Sequence, residues 1–281
     1  MSTTNASDKD YILGHSKEEM ERLERQARYF RESTRNLLIC AGITKGMRVL
    51  DFAAGAGDSS MLVAELVGES GEVIAVDRSV EALEWAKHRI AAKGLKNVAT
   101  LVGDEYRMAE VFQANKVDAV VGRLALIHQK DVSAVLCKVV ESVRPGGIIA
   151  FQDFDMGCAL WAKPALPLMS KVWDWLVQTN VAINFPLDMG IQVTRAFDQA
   201  GIHARHIVQE GVVETGPDAL SYGIYTELMR AALPLMQKKN IATPEEVQLE
   251  TLAGRLRDEA VACQAFFISL HFLSAYGRTP A

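Results

Sequence analysis

An α/β fold on a doubly wound, mostly parallel sheet is what this sequence predicts, and three observations carry the prediction. The short apolar strand Val49-Leu50-Asp51-Phe52 ends in a carboxylate region and runs into the turn Ala53-Ala54-Gly55-Ala56-Gly57, which opens a helix at Asp58. A second strand, Glu72-Val73-Ile74-Ala75-Val76-Asp77, ends in another carboxylate about twenty residues after the glycines. Strand-like and helix-like stretches then keep alternating, as they do where parallel strands are joined by crossover helices.

The glycine turn is a place for an anionic or nucleotide-like ligand. Glycine lets backbone approach a ligand and take φ > 0, and the following helix turns its unpaired N–H groups and positive dipole end towards anionic atoms. A dinucleotide fingerprint needs a third glycine where this chain has Ser60. Asp77 is placed to accept both hydroxyls of a ribose. Val98 to Val102 reads as a third strand running into Gly103-Asp104-Glu105, where a polar side chain can meet an adenine amino group. Val117 to Gly122 reads as a fourth strand, followed by an amphipathic stretch from about Asp131 to Val143. The turn Arg144-Pro145-Gly146-Gly147 then leads into a fifth strand, Ile148-Ile149-Ala150-Phe151.

With these motifs in this order, the chain resembles the class I S-adenosylmethionine-dependent methyltransferases over roughly residues 42 to 155. The resemblance implies a Rossmann-like, doubly wound, seven-stranded and mostly parallel sheet, with an N-terminal helical cap and helical insertions after strands five and six. It implies S-adenosyl-L-methionine as cofactor and S-adenosyl-L-homocysteine as product. Asp51, Gly55 and Gly57 would then meet the methionine part, Asp77 the ribose and Asp104 the adenine, with Ala53, Arg78 and Glu105 beside them in the cofactor site. Gly122 and Arg123, where the fourth strand ends, would complete the cofactor site. Ala53 stands where the family has its first glycine, and an ordinary backbone is expected there.

Three segments follow: an N-terminal cap or lid over residues 1–41, a cofactor core over 42–157, and a completion of the sheet over 158–281 with insertions at about 158–186 and 217–260. Ser16-Lys17-Glu18-Glu19 has the form of a capping box, and apolar residues recur at Met20, Leu23, Ala27, Phe30, Leu37 and Leu38. Asp188 to Gly201 reads as a helix, His206 to Val213 as the sixth strand, and Thr243-Pro244-Glu245-Glu246 as a second capping box. Phe266 to Phe272 is the candidate last strand, although residues 255–270 equally continue a helical pattern.

Methyl transfer is an in-line displacement that rests mainly on holding nucleophile and methyl aligned with water excluded. Where the acceptor carries a proton, a base is required, and His128 beyond the fourth strand is the candidate; packing at a helix start is its other reading. Arg123 either steers an acceptor carboxylate or pairs with an acid such as Asp153. Tyr11, with His15, either belongs to a lid over the reacting groups or ties down a tail. Asp153 and Asp155 leave the fifth strand near the same edge. Trp161, Trp173, Tyr222 and Tyr225 suit either a lining for an apolar or aromatic molecule or packing against the core. The insertions are similar in composition to those of natural-product methyltransferases.

Composition narrows the partners. With 281 residues, 49% of them hydrophobic, the chain can bury a sizeable core, and its net charge of −5 argues against a nucleic-acid partner. The arginines of residues 22–35 alternate with glutamates and read as a solvated helix face. No stretch reaches the length of a membrane span, and the opening residues have neither a basic nor an apolar leader region, so a cytoplasmic protein is expected. The four cysteines, Cys40, Cys137, Cys158 and Cys263, match no metal or redox spacing; buried thiols and no metal are expected. A small-molecule acceptor is the expected partner, with a homodimer open. Three other readings stay open: a nicotinamide dehydrogenase, a macromolecular methyltransferase, and a protein that binds S-adenosylmethionine without transferring its methyl.

Overall fold

The computed structural model describes residues 17–157 and 160–281, with side chains from Arg28 onward except that of Ser269. Tyr11, His15, the Ser16 cap and Cys158 therefore lie outside the described residues, as do the side chains of Met20, Leu23 and Ala27. In chain order the elements are α1 (Lys17–Ala41), β1 (Arg48–Phe52), α2 (Asp58–Val67), β2 (Glu72–Asp77), α3 (Val80–Ala92), β3 (Val98–Val102), α4 (Glu105–Phe112) and β4 (Val117–Arg123). A 3-10 turn (Leu126–His128), α5 (Val132–Val139), β5 (Val143–Phe154), β6 (Trp161–Lys163), α6 (Pro167–Val181) and α7 (Met189–Gln199) follow. The chain closes with β7 (His203–Thr215), α8 (Ser221–Lys238), α9 (Pro244–Val247), α10 (Leu249–Ala262) and β8 (Phe266–Arg278).

The chain divides into two compact units, and β7 and β8 contribute residues to both. In the first, residues 17–154 with Met189–Gln209 and Phe272–Ala281, the strand order is β3-β2-β1-β4-β5-β8. The first five strands run parallel and the Phe272–Arg278 part of β8 pairs antiparallel with β5. Strands covered on both faces read as continuous apolar runs, which is why β1, β2 and β4 show little alternation. Val49, Val73, Ala119 and Ile148 point to the face where α1 and α2 lie, and share one core with Leu38, Leu62 and Val67. Their neighbours Leu50, Ile74, Val120 and Ile149 point the other way and are equally buried.

The described part of α1 is integral to this core. The Thr34 hydroxyl donates to Gln152 Oε1 at 2.7 Å, and Gln152 Nε2 donates to Ser33 at 2.7 Å and to Ser274 at 3.0 Å. Phe30 meets Phe272 and Phe154 edge-on, with ring centroids 4.6 and 5.2 Å apart. The buried amide therefore fixes the register of α1 against β5 and β8, and the rings supply the apolar area around it.

In the second unit, Asp155–Asp188 with Glu210–His271, α6, α8 and α10 pack together and β6 pairs antiparallel with the start of β8. The N-terminus of α6 lacks a side-chain cap of its own, and Glu259 of α10 accepts from the Leu168 and Met169 amides at 2.7 and 3.1 Å. The capping box at Thr243 forms as its sequence indicates.

Three expectations need correction. Eight strands, rather than seven, are found among the described residues, the addition being β6, whose three residues are too few to display an alternation. Arg144 to Gly147 is a bulge inside β5 and not a turn before it: Val117 pairs with Val143 but Ala119 with Ile148, and Gly146 takes φ 67° to absorb the extra length. Cys40 and Cys263 are exposed instead of buried. The ambiguity over residues 255–270 resolves into both forms, α10 ending at Ala262 and β8 starting at Phe266.

The two glycines of the turn have different neighbours. Gly57 has φ 80°, and a methyl group there would stand 3.0 Å from Cβ of Ala86 on α3, whereas one on Gly55 (φ 52°) would meet nothing within 4 Å. Gly57→Ala is expected to cost about 2–4 kcal/mol of stability, from positive φ and overpacking together, and Gly55→Ala about 1–2 kcal/mol. Urea denaturation of both variants reads the difference; equal losses would contradict the packing account.

Candidate cofactor and methyl-transfer site

The turn after β1 is fixed from below by backbone and from the side by Asp77. Ala54 N–H donates to the Val76 carbonyl at 2.9 Å and Gly57 N–H to the Ala54 carbonyl at 2.9 Å. Gly55 N–H donates to Asp77 Oδ2 at 2.8 Å, and Ser79 N–H to Asp77 Oδ1 at 2.9 Å. Each carboxylate oxygen retains a second lone pair, so Asp77 can pin the turn and still accept from ribose hydroxyls. Ala53 takes φ 56°, not the ordinary backbone expected of it. The turn imposes the left-handed conformation, and the alanine methyl tolerates it at about 1–2 kcal/mol.

Asp51 at the middle of the site is fully buried. Ser60 Oγ donates to its Oδ2 at 2.5 Å, while Oδ1 has no hydrogen-bond partner. Burial pushes this carboxyl up to about 7, against the opposing pull of the Ser60 bond and the nearby Arg123 charge. A buried acceptor with an open lone pair suits the ammonium of an amino-acid ligand, which fits the methionine part of S-adenosylmethionine. Ser60, which breaks the dinucleotide pattern, thus acts here as the partner of Asp51.

Around this centre the remaining sequence candidates divide. Asp104 caps α4, its Oδ1 accepting from Tyr106 and Arg107 amides at 3.1 and 3.0 Å, which leaves Oδ2 for a ligand. Arg78 and Glu105 pair with each other at 3.0 Å, the glutamate buried and the arginine half-exposed. Gly122 has a packing reason: a methyl group there would lie 2.5 Å from the Phe151 ring. Arg123 does not pair with Asp153. It lies 3.9 Å from Asp58 and 5.7 Å from the centre of the Phe30 ring, and its burial lowers the guanidinium pKa.

Asp153, expected to face the acceptor, is buried and turned inward. Its Oδ1 accepts from Ile127 N–H at 3.1 Å, and burial pushes its carboxyl up to about 7. It therefore fixes the 3-10 turn that carries His128, whose side chain is exposed. Leu124, two residues beyond Gly122, is held at φ 54° by its N–H bond to the Gln152 carbonyl at 2.7 Å. Such strain at the strand end sets the direction in which the chain leaves β4.

The other proposed pocket residues belong to the second unit. Trp173, Tyr222 and Tyr225 are buried: Trp173 meets Tyr225 edge-on at 6.3 Å, and Tyr222 lies 5.8 Å from Phe267 with its hydroxyl donating to the Gly216 carbonyl. These contacts make them packing residues of that unit. Trp161 is exposed and touches Phe266, and Asp155 accepts from Gly157 N–H. One contributor went unread in the sequence. Arg89 of α3 donates to the Ala56 carbonyl at 2.6 Å and pairs with Asp58 at 2.7 Å. Nothing local in sequence marks a contact that spans thirty residues. Among the described residues, no group of three or more His, Cys, Asp or Glu is gathered to hold a metal, and no helix is long and apolar enough to cross a membrane.

Asp77→Ala is expected to weaken S-adenosylhomocysteine binding by about 1.5–3 kcal/mol, read by calorimetry on folded protein; an unchanged Kd removes the ribose role. A second expectation concerns pH. Asp153 keeps its proton in the native state up to about pH 7, whereas the unfolded chain releases it near pH 4. Its contribution to stability is full below the unfolded value and is lost as pH rises towards 7. Asp153→Asn should flatten that decline in denaturant titrations at pH 5 and 8, and an unaltered slope would count against the buried, protonated carboxyl.

A family model described as "Methyltransferase domain" matches residues 43–201, more than half of the chain. Demethylmenaquinone methyltransferase of Staphylococcus aureus is 29% identical over 160 residues, covering 52% of this chain and 64% of that relative, which is less than two thirds of its length. Among solved structures, the YcgJ protein of Bacillus subtilis aligns with a TM-score of 0.59 at 19% identity, covering 89% of this chain and 99% of that one. Phosphoethanolamine N-methyltransferase 2 of Haemonchus contortus aligns with a TM-score of 0.54 at 16% identity, covering 89% and 53%. The two structures show a shared fold, and the domain match shows descent: this chain belongs to the class I S-adenosylmethionine-dependent methyltransferase family.

Proposed function

We propose that the protein moves the methyl group of S-adenosylmethionine to oxygen, nitrogen or carbon of a small organic molecule of apolar or aromatic character. The observation that carries this reading is the Asp77 carboxylate bonded to the Gly55 amide, with Gly55 open on its outer side. That arrangement supports a nucleoside subsite beside the turn, with the attached chain ending near Asp51 in this reading. When bound, S-adenosylmethionine supplies an electrophilic methyl on a sulfonium that leaves as a neutral thioether.

The chain's own part is then to bind, orient and exclude water. The acceptor atom forms its bond to the methyl carbon as the carbon–sulfur bond breaks, and any proton on the acceptor passes to a base. His128 is assigned that base: it stands exposed on a turn held by Asp153, just beyond the strand end that carries Gly122 and Arg123. A small acceptor is supported by the acidic net charge of −5, which disfavours a nucleic acid, and by the similarity to a relative named demethylmenaquinone methyltransferase. The composition of residues 158–186 and 217–260 agrees with an acceptor of the natural-product kind.

Transfer of labelled methyl from S-adenosylmethionine to a panel of small phenols, quinols and amines tests the reading; binding of cofactor with no transfer to any acceptor class would favour a non-transferring protein. Once an acceptor is found, His128→Ala should lower kcat on the order of 10²-fold while leaving S-adenosylhomocysteine affinity unchanged. Full turnover in that variant removes His128 from the chemistry.

A further inference from the structure

A cleft of about 230 Å³ opens on the α1, α2 and α3 side of the first unit, and its walls are cationic. Arg28 and Arg31 enter from α1, Arg89 and Lys93 from the end of α3, and Arg123 from the end of β4; among the described lining residues Asp58 is the one carboxylate. That carboxylate is already engaged by Arg89 at 2.7 Å, which leaves Arg123 at 3.9 Å, beyond hydrogen-bond length. Glu65 at the rim serves both Arg31, at 2.6 Å, and Lys93, at 3.8 Å. Among the described side chains, from Arg28 onward, Asp58 is the carboxylate that shares the lining with Arg28, and it is engaged by Arg89.

Like charges gathered around a partly desolvated cavity repel one another, and a buried guanidinium without a close anion carries an uncompensated desolvation cost. Arg123 approaches that position, because it shares the Asp58 carboxylate with Arg89 and stands at 3.9 Å from it against 2.7 Å for Arg89. We propose that the cleft binds a small phosphate-type dianion, as a ligand additional to the methyl donor. A tetrahedral dianion can meet guanidinium groups arriving separately from α1, α3 and β4, whereas a carboxylate offers only two oxygens in one plane. The volume is several times the ~30 Å³ of a water molecule, enough for a phosphate with a few attached atoms. The residues of the nucleoside subsite, Gly55, Asp77 and Asp104, do not line the cleft, so donor and dianion have separate walls with Arg123 between them.

Inorganic phosphate is the test ligand, titrated by calorimetry and thermal shift into protein already saturated with S-adenosylhomocysteine, in a buffer free of other polyvalent anions. Binding is expected in the saturated wild-type protein, weakened about tenfold by loss of one charge-assisted contact in Arg28→Gln. Arg28 is exposed, so that variant should melt like the wild type in the absence of phosphate, and its affinity for S-adenosylhomocysteine should stay the same. Arg123→Gln should abolish phosphate binding if it folds; Arg28→Gln decides the matter if it does not. Absence of phosphate binding, its displacement by S-adenosylhomocysteine, or full retention in Arg28→Gln would each overturn the proposal, and none of these bears on whether methyl is transferred.

Discussion

The Asp77 carboxylate is the interaction on which the rest of the site depends. Its two oxygens accept from Gly55 and Ser79, so a single side chain joins the turn after β1 to the start of α3. The parallel pairing of β1 with β2 brings it there: Phe52 lies opposite Val76, one residue short of Asp77. Removing the carboxylate would leave a left-handed alanine and two left-handed glycines without the acceptor that makes their conformation worthwhile. The turn would then lose its shape before it lost its sequence motif. Gly57 completes the arrangement by letting α3 approach the loop closely through Ala86, and Arg89 fastens the same helix to the Ala56 carbonyl.

Around that joint the molecule keeps ionisable groups where a core would do better without them. Asp51 and Asp153 are both buried with one oxygen unpartnered, and burial pushes both carboxyls up to about 7. They do different work. Asp51 keeps one oxygen without a hydrogen-bond partner beside its Ser60 bond, which suits a ligand, whereas Asp153 spends its other oxygen on the backbone that carries His128. Arg123, close enough to Asp51 to act on its charge, lies over the Phe30 ring and is only loosely paired with Asp58. Such groups lower stability and persist where a bound molecule offsets the cost.

Much of this was legible in the sequence because it is local. The strand ends, the glycine turn and the acid of the second strand sit within thirty residues of one another, and the apolar runs of β1, β2 and β4 declare their burial directly. What was not legible depends on contacts between distant residues or on conformations that residue type disfavours. Ala53 reads as an ordinary residue, but the surrounding hydrogen bonds force φ 56° on it. Ser60 reads as a missing glycine until Asp51 is seen 2.5 Å away. Asp153 and Asp155 look alike as exits from a strand, yet the register of β5 sends the first into the core. Trp173, Tyr222 and Tyr225 carry the composition of a pocket and the contacts of a packed interior, and only neighbours far along the chain distinguish the two.

The central claim is that the Asp51-to-Gly57 turn and Asp77 form a site for S-adenosylmethionine and not for a dinucleotide. Calorimetric titration of the same protein with S-adenosylhomocysteine and with NADH tests it most directly. The account predicts micromolar binding of S-adenosylhomocysteine and no heat from NADH. Binding of NADH alone would contradict it, because the turn would then be serving a pyrophosphate despite Ser60.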